Sequence, residues 1–301
     1  MDGRVTGLLA IWLGVGWLSA CAHGPGALVV LADPRGDDNG PGSYRYPDHP
    51  AFRAGSFDLE QVSLARDGDD WLLEVQMAGA IERAPVFVSR DDRRELHLQT
   101  VDLYFRLDGA GASRSESLPG REVRIEPGWQ RAVVLSPVPR LLRRDLERGG
   151  ALEDVFVPLG LRLSGRKLKA RVPVTFLGSA LPTALAVLVS GTRFSSSFEV
   201  VGGKARTQGL TMPVAAASAE CRLDDADEAL GCRFHGCAPC EGHPQVIDIL
   251  APAGSQQRAL SSYAPGRPAR VTMMPVASAE AADHEVDHGR SRAEGDHQAL
   301  R

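Results

Sequence analysis

Alternation of apolar and polar residues is the clearest pattern along the chain, and it predicts β-strands. Every second residue between positions 71 and 77 is apolar, which puts one side of an extended segment on a core. Residues 96–107 alternate in the same way, and their change of phase near Thr100 predicts a bulge. Two alternating runs within residues 161–174 flank Ser164-Gly165-Arg166, so this segment predicts a hairpin.

Short apolar runs bounded by Pro or Gly predict further strands, buried ones, at residues 132–135, 184–189 and 246–250. Only residues 141–148, which are followed by two glycines, have the pattern of a helix. Many short strands punctuated by Pro and Gly are typical of an antiparallel β-sandwich. We therefore predict an all-β fold with one short helix.

The N-terminus has the pattern of a secretory signal. Arg4 precedes an apolar run over residues 8–18 that is too short to span a bilayer. The run ends in Leu-Ser-Ala-Cys at position 21, and this tetrapeptide resembles the lipobox of bacterial lipoproteins. We expect residues 1–20 to be a signal peptide and Cys21 to carry the lipid. An ordinary signal peptide with a chance cysteine is the alternative.

The lipid anchor determines where we expect the mature protein to be. No later segment is apolar for eighteen residues or more, so the mature chain would be attached to a membrane without crossing it. Ala22 follows the cysteine, where an aspartate would suggest retention in the inner membrane of a Gram-negative cell. We expect a protein of the cell envelope, anchored in the outer membrane, with residues 21–30 as a linker.

Composition and charge limit the classes of protein to which the chain can belong. The chain has 301 residues, of which 43% are hydrophobic and 24% charged, as in ordinary globular proteins. A net charge of −4 gives no electrostatic footprint for nucleic acid, so we exclude that partner. Residues 277–301 hold six acids, three arginines, three histidines and no aromatic residue. Such a segment cannot bury enough apolar area to order itself, so we predict a disordered tail.

An acidic loop is the first candidate site. Asp33, Asp37, Asp38 and Asn39 supply hard oxygen donors on a backbone rich in Gly and Pro. Calcium prefers such ligands, although the spacing is not that of an EF-hand. The alternative is that these side chains cap turns by accepting backbone N–H hydrogen bonds. Both interpretations remain open, and calcium is the expected cofactor.

Three aromatic residues, Tyr44, Tyr46 and Phe52, lie close to that loop in the sequence. Flat rings bordering a polar loop can stack on the apolar face of a sugar, so these residues are candidate ligand contacts. The alternative is that the rings pack the loop onto the core. Trp71 and Trp129 fall within strand patterns, and we expect both in the core.

Four cysteines remain after the signal peptide, all in a segment over residues 221–243 that reads as an insertion: Cys221, Cys232, Cys237 and Cys240. An even number of cysteines in an exported protein predicts two disulfides. The same segment carries His235 and His243, so thiolate and imidazole ligands for zinc are the alternative.

Sequence motifs of enzymes give no catalytic assignment. Residues 284–288 read His-Glu-Val-Asp-His, the spacing of a zinc protease helix. Their flanks offer no apolar face for such a helix, and Gly289 would end it. The chain also lacks a Gly-x-Ser-x-Gly motif, a phosphate-binding Walker loop and a dinucleotide fingerprint. We therefore expect a protein that is not an enzyme.

The acidic loop opens a longer pattern that resembles a known family. Residues 33–47 read Asp-Pro-Arg-Gly-Asp-Asp-Asn-Gly-Pro-Gly-Ser-Tyr-Arg-Tyr-Pro, and residues 52–59 read Phe-Arg-Ala-Gly-Ser-Phe-Asp-Leu. Both resemble the opening of the glucodextranase C-terminal domain family. Weaker similarity continues over residues 101–104, 129–134, 172–178 and 246–261. The resemblance covers roughly residues 31–276.

The resemblance implies a non-catalytic, DOMON-like β-sandwich, a module found on starch- and dextran-degrading enzymes and in cell-surface proteins, where it is inferred to bind carbohydrate. The chain departs from the family pattern where Ala84-Pro85-Val86 replaces an Asn-Pro-Trp-like segment. It also lacks a tryptophan before residues 184–189. The expected function is that of an envelope lipoprotein that binds glycan, with a structural calcium ion. The alternatives are a protein-interaction or assembly module, with an envelope protein as its partner, and a periplasmic protein that binds metal through the Cys/His cluster.

Overall fold

The computed structural model of the chain describes residues 27–46, 52–89, 92–109, 111–149, 153–192, 215–216, 244 and 246–276. The predictions for Cys21 and the signal peptide, the four cysteines with their two histidines, the His-Glu-Val-Asp-His motif and the tail lie outside these residues. The first strand begins at Ala27, within the segment 21–30 that the sequence predicted as a linker.

The first large sheet is antiparallel throughout and has the strand order β1-β3-β4-β13-β12. Its strands are β1 (Ala27–Ala32), β3 (Leu59–Asp67), β4 (Asp70–Met77), β12 (Arg162–Ser164) and β13 (Lys167–Pro173). Buried and half-buried residues alternate along the whole of β4, as the sequence predicted. β12 and β13 form the predicted hairpin, and Gly165 in its turn has a φ of 60°.

The second large sheet has the order β11-β10-β7-β14-β16, and β18 also pairs with β14. Its strands are β7 (Gln99–Arg106), β10 (Arg131–Leu135), β11 (Val155–Phe156), β14 (Ala184–Gly191), β16 (Asp248–Ile249) and β18 (Met274–Pro275). β11 runs parallel to β10, whereas the other pairs are antiparallel. Every residue of β14 is buried, which shows that both faces of this sheet are covered.

A third layer covers the outer face of the second sheet. It contains the sheet β17-β9-β8, built from β8 (Arg114–Glu116), β9 (Val123–Trp129) and β17 (Ala269–Thr272), and two helices, α1 (Pro139–Gly149) and α3 (Gln256–Leu260). The remaining described elements are α2 (Val174–Leu177), the hairpin β5 (Ala84–Ser89) and β6 (Asp92–Leu96), and the pair β2 (Tyr44–Arg45) and β15 (Ala215–Ala216).

Two hydrophobic cores result from this layering. Along β7, Leu103 and Phe105 join the core between the two large sheets, and Tyr104 joins the core between the second sheet and the third layer. Successive residues of one strand therefore contribute side chains to both cores. Leu142 of α1 and Leu260 of α3 belong to the second core.

The structure confirms the predicted fold class, a β-sandwich of mainly antiparallel strands, and the helix expected over residues 141–148. It differs in detail: β17 pairs with β9 in parallel, and the described part of the chain has two more short helices. The bulge predicted near Thr100 is wrong, because the change of phase there separates β6 from β7. None of the helices in the described ranges is long and apolar enough to span a bilayer.

Candidate functional site

Three aspartates converge at the junction of the two large sheets. Asp33, Asp37 and Asp248 each offer a carboxylate oxygen, and these oxygens all lie within 4.8 Å of one another. Asp33 directly follows β1 of the first sheet, Asp37 lies further along the same loop, and Asp248 begins β16 of the second sheet. We call these three residues the Asp cluster. It consists of side chains from both ends of the described chain.

Hydrogen bonds from the backbone hold the acidic loop against both sheets. The Asp33 amide donates to the carbonyl oxygen of Glu60 at 3.0 Å, next to the start of β3. The Asp33 Oδ1 accepts from the Ala251 amide at 2.8 Å, and the Gly40 amide donates to the carbonyl oxygen of Ile247 at 2.8 Å. The loop therefore crosses from the first sheet to the segment around β16.

Asp248 is fully buried and its two carboxylate oxygens accept from backbone amides. Oδ2 accepts from the Leu59 amide at 2.5 Å, and Oδ1 accepts from the Ile249 amide at 2.8 Å. The buried side chain of Gln256 completes the junction, since its Oε1 accepts from Ile249 at 2.8 Å and its Nε2 donates to the Asp37 carbonyl oxygen. These contacts fix the position of Asp248 relative to the loop.

Several carboxylate oxygens at this junction are buried and have no hydrogen-bond partner within the described residues: Asp33 Oδ2, Asp37 Oδ1 and Asp58 Oδ1. Asp58 lies beside the cluster, and its other oxygen accepts from the Gly36 amide at 2.8 Å. Buried polar atoms are usually paired, so three unpaired carboxylate oxygens at one junction need a physical explanation.

Burial is also the main cause of the perturbed acidity of these groups. The pKa of Asp33 is raised to about 8, chiefly by burial and also by the nearby charges of Asp37 and Asp58, while the hydrogen bond from Ala251 lowers it. Burial likewise raises the pKa of Asp58 to about 6 and holds the pKa of Asp248 well above its ordinary value. Packing acids together in a buried site is costly without positive charge to balance them.

The sequence predicted two of the three clustered residues. Asp33 and Asp37 are in the cluster, whereas the Asp38 carboxylate accepts a hydrogen bond from the Tyr46 hydroxyl. Asn39 is exposed, and its backbone carbonyl oxygen accepts from the backbone amides of Gly42 and Tyr44. Sequence reasoning did not assign Asp248 to the site. The available signal was a lone acid in the apolar run over residues 246–250.

The aromatic residues near the loop pack largely into the core. Tyr44 is 6% exposed and Phe52 is 7% exposed, and both belong to the core between the two large sheets. Phe52 stacks on Phe57 with ring centroids 5.7 Å apart, and Tyr46 lies 5.5 Å from Phe57. Of the three predicted ligand contacts only Tyr46 is partly exposed. Trp71 and Trp129 are buried, as the strand patterns indicated.

A second aromatic surface lies outside the predicted site. Phe156 and Phe176 are partly exposed residues that pack against the core between the two large sheets, and their ring centroids lie 5.4 Å apart. The Arg131 guanidinium lies over Phe176 at 5.7 Å from the ring centroid, and its Nη1 is 2.7 Å from Oδ1 of Asp154. We call these four residues the Phe156–Phe176 patch. It combines apolar ring surface with charged hydrogen-bonding groups.

Comparison with known proteins identifies one family. The model of the C-terminal, SLH-like binding module of glucodextranase matches residues 28–275. The match begins in β1 and ends in β18, so it includes both large sheets, the third layer and the Asp cluster. The search of curated proteins finds no match.

Proposed function

Since the chain belongs to the family of C-terminal, SLH-like binding modules of glucodextranase, we propose that it binds carbohydrate without cleaving it. The observation that carries this proposal is the extent of the match, which includes the whole described sandwich. Function does not follow from a fold alone, but this family is described by its binding role. The ligand we expect is a polysaccharide.

The burial of the Asp cluster makes these carboxylates unsuited to glycoside hydrolysis. Glycoside hydrolysis needs two carboxylates that flank the scissile bond in an accessible site. Asp33 is 7% exposed and Asp248 is 0% exposed, and both accept hydrogen bonds from backbone amides. A sugar ring would not reach carboxylates in this position. The family match is likewise to a binding module and not to a catalytic domain.

Two surfaces offer rings for sugar contact. The Phe156–Phe176 patch has the rings of two partly exposed residues next to the charged groups of Arg131 and Asp154. Rings can stack on the apolar face of a pyranose while the charged groups bond to its hydroxyls. Tyr46, beside the acidic loop, is the alternative contact, because it is the partly exposed member of the predicted set. We favour the patch because it combines two rings with charged groups.

The module would be displayed on a membrane. The lipobox-like sequence at Cys21 motivates the proposal of a lipid anchor in the outer membrane of the cell envelope. β1 begins at Ala27, so the tether between anchor and sandwich is at most about 20 Å long when fully extended. A bound polysaccharide would thus be held near the membrane surface.

A glycan array probed with the purified full mature protein tests this proposal. We expect binding to at least one polysaccharide class, weakened about tenfold by Phe176→Ala, a loss of about 1.4 kcal/mol. Leu159→Ala is the control, because Leu159 is a 53% exposed apolar residue. If Tyr46→Ala abolished binding and Phe176→Ala left it unchanged, the sugar contact would lie at the acidic loop and not at the patch. An array without any specific signal would reject carbohydrate binding and favour a protein-interaction module.

A further inference from the structure

We propose that Asp33, Asp37 and Asp248 bind one calcium ion that joins the two large sheets. Their carboxylate oxygens lie within 4.8 Å of one another, although the residues come from a loop of the first sheet and a strand of the second. This site is independent of carbohydrate binding. Asp248, which the acidic-loop motif does not contain, is its third protein ligand.

The unpaired oxygens are the observation that points to an ion. Asp33 is only 7% exposed, and its Oδ2 has no hydrogen-bond partner within the described chain. Asp37 Oδ1 is also buried and unpaired in that part of the chain. An unpaired buried carboxylate oxygen costs free energy, whereas a cation bound between the two would satisfy both. Asp58, whose Oδ1 is unpaired there as well, adds a fourth acidic group next to the ion.

The backbone orients these ligands before any ion binds. Ala251 donates to Oδ1 of Asp33, which fixes that carboxylate and leaves Oδ2 free. Leu59 and Ile249 donate to the two oxygens of Asp248. Outer hydrogen bonds of this kind hold metal ligands in place and reduce the ordering that binding requires.

The chemistry of the cluster selects calcium. All three side chains offer oxygen, which suits hard divalent cations and not the nitrogen- and sulfur-preferring zinc. The three oxygens lie within 4.8 Å of one another, so one ion could contact all of them. Calcium accepts irregular arrangements of oxygen ligands, whereas magnesium demands a near-ideal octahedron and gives up its water reluctantly, so a cluster of protein carboxylates favours calcium. Water and backbone carbonyls would complete the shell.

Because of its position, the ion would connect the two large sheets. Asp33 follows β1, Leu59 begins β3, and Asp248 begins β16, so the ion would hold both sheets at one point. A ligand that binds only the folded state stabilises it by mass action. Calcium should therefore raise the stability of the whole sandwich.

Equilibrium dialysis of the full mature chain, stripped with a chelator and analysed for metal content, tests the site directly. We expect one calcium ion per chain, and a rise in melting temperature of about 5–10 °C at a hundredfold excess of calcium over its dissociation constant. No bound calcium, or a melting temperature that calcium leaves unchanged, would overturn the proposal. Uptake of magnesium in place of calcium would overturn the choice of ion.

Two variants assign the bound ion to the cluster. Asp33→Asn and Asp248→Asn should lose calcium binding, and with it the rise in melting temperature. In chelator Asp33→Asn should melt at or above the temperature of the wild type, because its amide can keep the bond from Ala251 and place its NH2 where Oδ2 has no partner in the described chain. Asp248→Asn should melt lower, because both of its carboxylate oxygens accept from backbone amides. Asp108→Asn, at an exposed position, is the matched control and should bind calcium normally. Normal calcium binding by both cluster variants would show that the ion lies elsewhere.

Discussion

Asp33 and Ala251 lie 218 positions apart in the sequence, and the Ala251 amide donates a hydrogen bond of 2.8 Å to the Asp33 carboxylate. The bond links the two large sheets, because it connects the loop after β1 with the segment after β16. The acidic loop is thus a junction between distant parts of the chain. Changes in this loop should affect the stability of the whole module.

Gly40 offers a direct test of how tightly the loop is packed. It has a φ of 60°, and a Cβ there would lie 2.3 Å from a ring carbon of Tyr44. Gly109 has a φ of 63° and open space around it, so it controls for backbone strain alone. We expect Gly40→Ala to lower the free energy of unfolding by about 1–3 kcal/mol more than Gly109→Ala. Equal losses in urea denaturation would show that the Tyr44 ring moves aside.

The second core contains a buried ion pair whose partners depend on each other. Arg121 and Asp102 are each 1% exposed, and two hydrogen bonds of 2.5 Å and 3.0 Å join them. Arg121→Met should cost about 3–5 kcal/mol of stability, because it leaves a buried carboxylate without its cation. Adding Asp102→Asn should recover part of that loss. A double-mutant cycle in which the two losses simply add would contradict this coupling.

The strands that the sequence predicted are those with a local pattern. Alternation identified β4, and the run around Gly165 identified the hairpin, because both depend on neighbouring residues and on the period of a strand. The segments that became β10 and β14 were also apparent as apolar runs. Their assignment to a sheet covered on both faces needed the structure, since periodicity does not say what covers a buried strand.

The candidate site was predictable only in part for the same reason. Asp33 and Asp37 share one loop, so their spacing indicated a cation site. Asp248 joins them through the pairing of distant strands, which a single sequence does not reveal. The burial of Tyr44 and Phe52 follows from the same closure of the sandwich, which packs their rings into the core.

The lipid anchor makes a prediction about processing. Cys21→Ser removes the thiol that would carry the lipid, so the variant should fail to incorporate labelled palmitate and should keep its signal peptide. Metabolic labelling followed by mass measurement of the chain tests both effects. Equal labelling of variant and wild type would contradict the lipobox interpretation. Ala22→Asp provides a second test, since it should redirect the protein to the inner membrane.

The four cysteines should form two disulfides, each stabilising their segment by about 2–4 kcal/mol. Alkylation of the unreduced protein, purified from the envelope, should modify none of Cys221, Cys232, Cys237 and Cys240. Mass spectrometry of the alkylated protein provides this count. Four reactive thiols together with one equivalent of zinc would instead favour the metal site that His235 and His243 could complete.

Affinity electrophoresis in gels cast with different polysaccharides is the most direct test of the central claim, that this module binds carbohydrate without cleaving it. We predict that the mature protein is retarded in at least one such gel, and that the polysaccharide keeps its chain length after prolonged incubation. Unchanged mobility in every gel, relative to a non-binding reference protein, would contradict the binding. Shortened polysaccharide chains would contradict the absence of cleavage.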